Sequence, residues 1–265
     1  MTAVLNQGVS IIGSGRVATS LAHALQSNSI CINEVYSRTL ERAEKLVVNI
    51  PKAKPTDSLD FSSSQSGIFI VAVNDDAINA IAQNIKVRAD SYLFHTSGTV
   101  SMQTLSGAGS SFGIFYPLQT FVADSKIDFQ KIPILIEGGN SEALAILNTM
   151  GQAISKQVHE VSESDRQRLH VAAVFASNFT NRMLAAAEDI LSNSNLDLHI
   201  LKPLLEQSIQ NAFNQGPDAA LTGPAKRGDG KTIEKHLLML KDKPELLEIY
   251  QQVTKSIILK FSNQN

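Results

Sequence analysis

The sequence predicts an α/β protein whose N-terminal part forms a doubly wound sheet and whose C-terminal part is all-α. In the first 160 residues, short apolar runs alternate with segments of helical periodicity. One run, residues 68–73, is apolar throughout, which indicates a strand buried on both faces of a parallel sheet. After about residue 161 the alternation stops and long helical patterns follow. We therefore predict two domains, residues 1–160 and 161–265.

Hydrophobic periodicity predicts each element in turn. Strands are predicted at residues 9–12, 32–36, 68–73, 92–94, 113–116, 132–136 and 158–161. Helices of the first domain are predicted around residues 17–25 and at 40–48, 77–85 and 142–150. Helices of the second domain are predicted at 165–191, 203–214, 231–240 and 246–261. The first of these is long, rich in alanine, and free of glycine and proline.

Composition excludes several classes of protein. The net charge is −2 and no run of Lys or Arg stands out, so we expect no nucleic-acid partner. The single cysteine, Cys31, cannot form an intramolecular disulfide, and the six histidines show no metal-ligand spacing, so no metal site is predicted. The first residues lack the pattern of a signal peptide, and no apolar run approaches 18 residues. We expect a cytoplasmic protein with no membrane association.

A glycine-rich segment after the first strand predicts a dinucleotide site. Residues 13–18 fit the pattern G-x-G-x-x-A, between a predicted strand and a predicted helix. In this context Gly13 permits the tight turn, Gly15 admits the pyrophosphate, and Ala18 keeps the helix close to the sheet. The alternative is a glycine-rich turn in some other α/β fold. We favour a Rossmann domain, with these residues at the phosphates: Gly13, Ser14, Gly15, Arg16 and Val17.

The end of the second strand predicts which dinucleotide binds. NAD enzymes usually place Asp or Glu there to hold the ribose 2′-hydroxyl. This chain has Ser37, Arg38 and Thr39 instead, and a guanidinium with two hydroxyls suits a 2′-phosphate. NADP is therefore favoured over NAD. Alternatively, Arg38 is a solvated loop residue.

Two later strands end in polar residues that we expect near the nicotinamide. Ligands of open α/β sheets lie beyond the carboxyl ends of the strands. Val73, Asn74 and Asp75 follow one buried strand, and Thr96 follows the next. Alternatively, Asp75 or its neighbour Asp76 only caps a helix that starts at residue 77.

Five segments carry a resemblance to known proteins: residues 13–18, 95–98, 117–121, 170–178 and 222–229. Together they resemble a family of Rossmann-like proteins with a helical C-terminal domain of formerly unknown function. That family is related to ketopantoate reductase, pyrroline-5-carboxylate reductase and 6-phosphogluconate dehydrogenase. The resemblance covers nearly the whole chain and implies reduction of a carbonyl or imine by NAD(P)H. It also implies a C-terminal domain like that of 6-phosphogluconate dehydrogenase and a homodimer through this domain.

Two departures from the relatives concern the site. Tyr116 stands before Pro117, where relatives often carry His. The better-known relatives use a Lys with an Asn on the long helix, whereas no Lys occurs here between Val158 and Ile200. This departure leaves the identity of the general acid open.

The long helix offers a different proton donor. His170 and Ser177 are seven residues apart and share a helix face, with Asn178 adjacent to it. We predict His170 as the proton donor, Asn178 as the group that orients the substrate, and Ser97 as a contact to substrate or nicotinamide. Alternatively, these are satisfied polar groups of a packed helix. Arg227, in a predicted loop before a helix capped near Asp229, either binds a substrate carboxylate or is solvated.

Three functions remain open from the sequence. The first is NADPH-linked reduction of a small 2-keto acid, with ketopantoate at the head of the list. The second is an imine reductase resembling pyrroline-5-carboxylate reductase. The third, from another class, is a non-catalytic dinucleotide-binding protein, which the missing Lys keeps open. The partners expected are a small-molecule substrate and a second copy of the chain.

Overall fold

The computed structural model describes residues 3–108, 111–122 and 127–262. By its internal contacts the chain forms two compact units, Met1–Ser177 and Asn178–Asn265. All strands of the described residues belong to the first unit, and the second is helical. The predicted fold class, a Rossmann sheet followed by an all-α region, is confirmed.

The sheet of the first unit has eight strands in the order β3-β2-β1-β4-β5-β6-β7-β8. Neighbouring strands run parallel except β6 and β7, which pair antiparallel. The strands are β1 Val9–Ile12, β2 Ile32–Tyr36, β3 Lys54–Thr56, β4 Ile68–Val71, β5 Tyr92–His95, β6 Ser111–Pro117, β7 Ile134–Gly138 and β8 Val158–Glu160. From β1 the chain adds β2 and β3 on one side of the sheet. It then returns to place β4 on the other side of β1, and the later strands follow from there. The carboxyl ends of β1 and β4 therefore form the switch point where such sheets bind ligands.

Helices cover both faces of this sheet. They are α1 Ala3–Asn6, α2 Arg16–Ser27, α3 Leu40–Val47, α4 Asp75–Asn84 and α5 Ser141–Ile154. One core lies around Ile11, Leu21 and Phe94, and the other lies around Phe69 and Leu105. β1 and β4 are buried along their whole length, as the apolar runs predict.

The structure corrects several details of the sequence predictions. β4 ends at Val71, two residues before the predicted end of this strand. β3 was not predicted, because Lys-Pro-Thr lacks an apolar pattern and proline is tolerated only at a sheet edge. β7 begins at Ile134, two residues later than predicted. α4 begins at Asp75, so the cap position is Asn74, and Asp75 and Asp76 lie in the first turn instead of capping.

The predicted long helix is one helical run with a change of pitch. It consists of α6 Glu163–Ala173, a π-helical turn Val174–Phe179, and α7 Thr180–Leu191. Ser162 caps α6, since its side chain accepts the N–H of Asp165. The two compact units divide inside the π-helical turn, whereas the strand–helix alternation ends after β8. The domain boundary at residue 160 stays a prediction.

The second unit continues with short and long helices. They are α8 Lys202–Gln215, α9 Pro217–Ala220, α10 Pro224–Arg227, α11 Gly230–Met239 and α12 Pro244–Ser262. Asp229 caps α11 by accepting the N–H of Thr232 at 3.1 Å, which confirms the loop-to-helix prediction. Among the described helices, none is both long and apolar enough to cross a membrane.

Candidate functional site

Gly13 makes the turn between β1 and α2. Its φ of 133° is in the region that L side chains rarely adopt. A Cβ at this position would also lie 2.2 Å from the carbonyl oxygen of Ala72, just beyond β4. Only glycine therefore fits, and the turn can pass directly over the end of the neighbouring strand.

Gly15 leaves open space at the start of α2. A Cβ built on Gly15 meets no atom of the described residues within 4 Å. Gly15 is the cap residue and offers no side-chain oxygen, so the first N–H groups of α2 stay open to a ligand. Ala18 is fully buried and lets the helix lie close to the sheet. The open space at Gly15 and the N-terminus of α2 together fit the pyrophosphate of a dinucleotide.

The end of β2 lies against this loop. The hydroxyls of Ser14 and Ser37 are hydrogen-bonded at 3.0 Å, and Ser37 is buried. Arg38 and Thr39 are exposed. Within the described ranges, no acidic side chain forms an ion pair with Arg38. The Ser37 hydroxyl also accepts the N–H of Thr39 at 3.4 Å, so it holds this loop together, while the exposed Arg38 and Thr39 are accessible to a ligand.

The loops predicted to lie near the nicotinamide follow β4, which is the neighbour of β1, and β5, which is the next strand. Thr96 continues the strand pairing, since its N–H donates to Val71 O at 3.1 Å. Val73 is half-buried, whereas Asn74 and Asp75 are exposed. The Asp75 carboxylate accepts a hydrogen bond from the Thr99 hydroxyl, which joins the two loops. The residues predicted from four separate segments thus follow four adjacent strands, β2, β1, β4 and β5.

Ser97 shapes the turn after β5. It is only 5% exposed, and its hydroxyl accepts the N–H groups of Thr99 and Val100 at 3.1 and 3.0 Å. Its own N–H donates to Nδ1 of His95 at 3.2 Å. These bonds give Ser97 a part in holding the turn. Its predicted contact with substrate or nicotinamide stays a prediction.

His95 is a neutral, buried residue below that turn. Burial lowers the pKa of His95 to about 4, so the imidazole is uncharged near neutral pH. Because Nδ1 accepts the N–H of Ser97, Nε2 carries the proton and faces the Ser101 carbonyl at 3.3 Å. His95 therefore has a structural part in this loop.

Arg166 connects α6 to the same turn, and sequence reasoning missed it. The side chain is fully buried, and Nη1 donates to the carbonyl of Ser97 at 3.1 Å. Nε lies 3.4 Å from a carboxylate oxygen of Glu137 on β7, whose pKa burial raises. Nη2 has no hydrogen-bond partner among the described residues. Arg166 could have been found from the sequence by its position one helical turn before His170, on the same face of the helix.

His170 is paired with Tyr116. The Tyr116 hydroxyl lies 2.9 Å from Nδ1 of His170. A Cβ on Gly98 would lie 2.5 Å from that nitrogen and 3.0 Å from Cζ of Tyr116, so both rings pack directly on this glycine. Burial raises the pKa of Tyr116, the charge of Asp75 raises it further, and Arg166 opposes this. The sequence singled out Tyr116 only as a departure from the relatives.

The π-helical turn carries the remaining predicted polar residues. The Ser177 hydroxyl is hydrogen-bonded to that of Thr120 at 2.9 Å, which joins the turn to the segment after β6. Asn178 is exposed and is the first residue of the second unit. Its predicted role in orienting the substrate stays a prediction.

The arrangement has two chemical capacities. One is an open glycine loop with the exposed guanidinium of Arg38 on the neighbouring strand end, which is suited to a phosphate. The other is a hydrogen-bonded imidazole and phenol that can deliver a proton, packed on Gly98 in the turn after β5.

Family models match both parts of the chain. Residues 8–94 match the family described as "NADP oxidoreductase coenzyme F420-dependent". Residues 132–257 match a "Domain of unknown function (DUF2520)". Among curated proteins, none matches the chain.

Solved structures match over nearly the whole length. A "putative NADP oxidoreductase" from Bacteroides fragilis is 33% identical, with a TM-score of 0.85, over 95% of this chain and 97% of that one. A reductive aminase from Aspergillus terreus in complex with NADPH is 14% identical, with a TM-score of 0.70 over 96% and 94% of the two chains. An imine reductase from Myxococcus stipitatus in complex with NADP+ is 14% identical, with a TM-score of 0.65 over 96% and 99%. The last two show the shared fold.

The glycine loop between β1 and α2 and the full-length match agree with one another. We therefore conclude that the chain is an oxidoreductase that uses NADP and belongs to the family of Rossmann-like NADP oxidoreductases with this helical C-terminal domain.

Proposed function

We propose that this oxidoreductase reduces the C=N or C=O bond of a small substrate, with His170 as the proton donor. The observation that carries the proposal is the Tyr116–His170 pair, packed on Gly98 in the turn after β5. NADPH, when bound, supplies the hydride. The protein has to place the acceptor carbon and deliver a proton to the nitrogen or oxygen.

Imidazole is the side chain best suited to this proton transfer, because its unperturbed pKa lies near neutral pH. Hydride addition to a carbonyl places negative charge on oxygen, and a nearby N–H stabilises that charge. The Nδ1 atom of His170 faces Tyr116, so Nε2 is the atom proposed to face the substrate. Asn178 is proposed to orient the acceptor group, and Ser97 to contact substrate or nicotinamide through its turn.

The cofactor residues keep the roles assigned from the sequence. The segment Gly13 to Val17 is proposed to hold the pyrophosphate, and Ser37, Arg38 and Thr39 the 2′-phosphate. Val73, Asn74, Asp75 and Thr96 are proposed to line the nicotinamide end. The open space at Gly15 and the unpaired guanidinium of Arg38 in the described ranges support this assignment.

Electrostatics favour an imine over the 2-keto acid that heads the sequence-based list. The carboxylate of a keto acid such as ketopantoate needs an accessible cation. Near the pair, Arg166 is fully buried and its charge is offset by Glu137. Asp75 instead places a negative charge where it affects Tyr116. An anionic substrate is repelled there, whereas the cation formed when His170 protonates a neutral imine is stabilised.

The names of the structural neighbours point the same way. Two are an imine reductase and a reductive aminase, each with bound NADP+ or NADPH. We therefore place a cyclic or alkyl imine first and a 2-keto acid second.

The test is NADPH oxidation by the full-length protein across a panel of imines and 2-keto acids, followed by His170→Ala on the best substrate. General acid catalysis typically contributes about 10²–10⁴-fold, so kcat should fall by about that factor, with NADP affinity unchanged. His159→Ala removes an exposed histidine of β8 and serves as the matched control. Turnover that survives in His170→Ala at the wild-type rate would contradict the assignment. No turnover on the whole panel, with NADP tightly bound, would favour a non-catalytic dinucleotide-binding protein.

A further inference from the structure

We propose that Tyr116 is a positioning residue that fixes the tautomer of His170 and stays hydrogen-bonded to it before and after proton delivery. The inference deepens the proposed function, and its use in catalysis rests on His170 being the donor. The hydrogen-bond geometry itself does not depend on any substrate.

The 2.9 Å contact between the Tyr116 hydroxyl and Nδ1 of His170 holds one proton. When the imidazole is charged, both ring nitrogens carry protons, and Nδ1–H donates to the phenol oxygen. Delivery of the Nε2 proton to the substrate leaves a neutral ring whose remaining proton is on Nδ1 and is still donated to the phenol oxygen. The bond keeps its direction, no heavy atom moves, and Nε2 is left to take up the next proton.

A phenol and a carboxylate differ as partners of a proton donor. A carboxylate only accepts, so it stabilises the charged imidazole and opposes release of the proton. A phenol both donates and accepts. Tyr116 stays un-ionised at neutral pH, because burial and the negative charge of Asp75 raise its pKa. It therefore stabilises both states of His170 and adds no charge to either.

The surroundings hold the pair in place. Any side chain at residue 98 would displace His170 or Tyr116, since its Cβ would lie within 3.0 Å of both. The two rings are also in contact, with centroids 6.0 Å apart. Ionisable groups that face the pair or its neighbours come from four packed elements: Asp75 of α4, His95 of β5, Glu137 of β7, and Glu163 and Arg166 of α6. His95 is neutral and Arg166 is paired with Glu137, so the main unbalanced charge is acidic.

The first experiment reads the tautomer without substrate. The full-length protein is labelled with ¹⁵N-histidine, and the His170 signal is assigned by its loss in His170→Gln. We expect wild-type His170 to carry its neutral-form proton on Nδ1. In Tyr116→Phe the signal should change to a mixture of tautomers, since nothing then holds the proton on Nδ1. A wild-type proton on Nε2, or a Tyr116→Phe protein with an unchanged His170 signal, would overturn the proposal.

A matched control exists in the second unit. There the hydroxyl of Tyr250 lies 2.8 Å from Nδ1 of His236. Tyr250→Phe should change the His236 signal and leave that of His170 as in wild type. A change at His170 in this variant would show that the readout follows global disturbance and would count against the proposal.

The second experiment measures turnover on the substrate found by the panel. One lost hydrogen bond corresponds to about 2- to 10-fold, so kcat should fall by that factor in Tyr116→Phe with KM unchanged. The pH dependence of kcat should also shift. Tyr116→His, which can donate and accept as tyrosine does, should recover most of the loss. If His170→Ala keeps its turnover, the proposed function fails while the tautomer result still decides the inference. A Tyr116→Phe enzyme with wild-type kcat and pH profile would overturn its catalytic part.

Discussion

The two compact units differ in how much of their apolar surface they bury themselves. The first has a sheet whose central strands are buried, with apolar clusters on both faces. In the described part of the second, only Leu240 and Leu246 are buried. Large apolar side chains there are exposed instead, among them Leu204, Ile209 and Phe213, the last with 88% of its surface. The first unit thus buries a core of its own, whereas the second leaves apolar surface uncovered.

The largest effect we expect is on assembly. We predict a homodimer through the C-terminal helices, because a second copy offers the same uncovered apolar surface. Ile209 and Phe213 are four residues apart on α8 and share a face. The double variant Ile209→Asp/Phe213→Asp should abolish the dimer and leave a 28.7 kDa monomer by light scattering. Gln210→Asp, at an exposed polar position of α8, is the control. A wild-type protein that is already monomeric at micromolar concentration would contradict the prediction.

The second prediction concerns the first unit, at the glycine loop. Gly15→Val should abolish NADP binding and leave the fold intact, since its Cβ meets none of the described atoms within 4 Å and projects toward the proposed pyrophosphate. Binding is measured by titration calorimetry and folding by thermal unfolding. Gly107→Val is the control, because residue 107 also has open space in front of it but lies outside the loop. Wild-type affinity in a folded Gly15→Val protein would refute the cofactor placement.

The smallest of these three effects should come from Arg38. Hydrogen bonds to charged groups contribute roughly 1.5–3 kcal/mol, so Arg38→Ala should weaken NADP binding by about 10- to 100-fold. NAD lacks the 2′-phosphate and is the internal control: its affinity should stay the same. If Arg38→Ala weakens the binding of NADP and NAD equally, Arg38 supports the loop after β2 and does not recognise the 2′-phosphate. If the affinity for neither cofactor changes, Arg38 is a solvated residue and the prediction is wrong.

The same comparison explains what the sequence could predict. The sheet and the glycine loop could be predicted from local sequence patterns. Apolar runs mark the buried strands, and the turn at Gly13 admits only glycine. The Tyr116–His170 pair joins residues 54 apart, and Arg166 reaches a carbonyl 69 residues away. Such contacts depend on which strands become neighbours, and periodicity within one segment carries no information about that. Only the helical spacing between Arg166 and His170 was readable in advance.

The two edge strands of the sheet, β3 and β8, are short, and this affects how copies of the chain can associate. β3 and β8 have three residues each, and β3 contains Pro55, which has no N–H to offer. β8 ends in the exposed residues His159 and Glu160. Short edges of this kind give another strand little to pair with, which disfavours extension of the sheet from one molecule into the next. Aggregation by strand addition is disfavoured in the same way, and the predicted dimer through helices would not need a free strand edge.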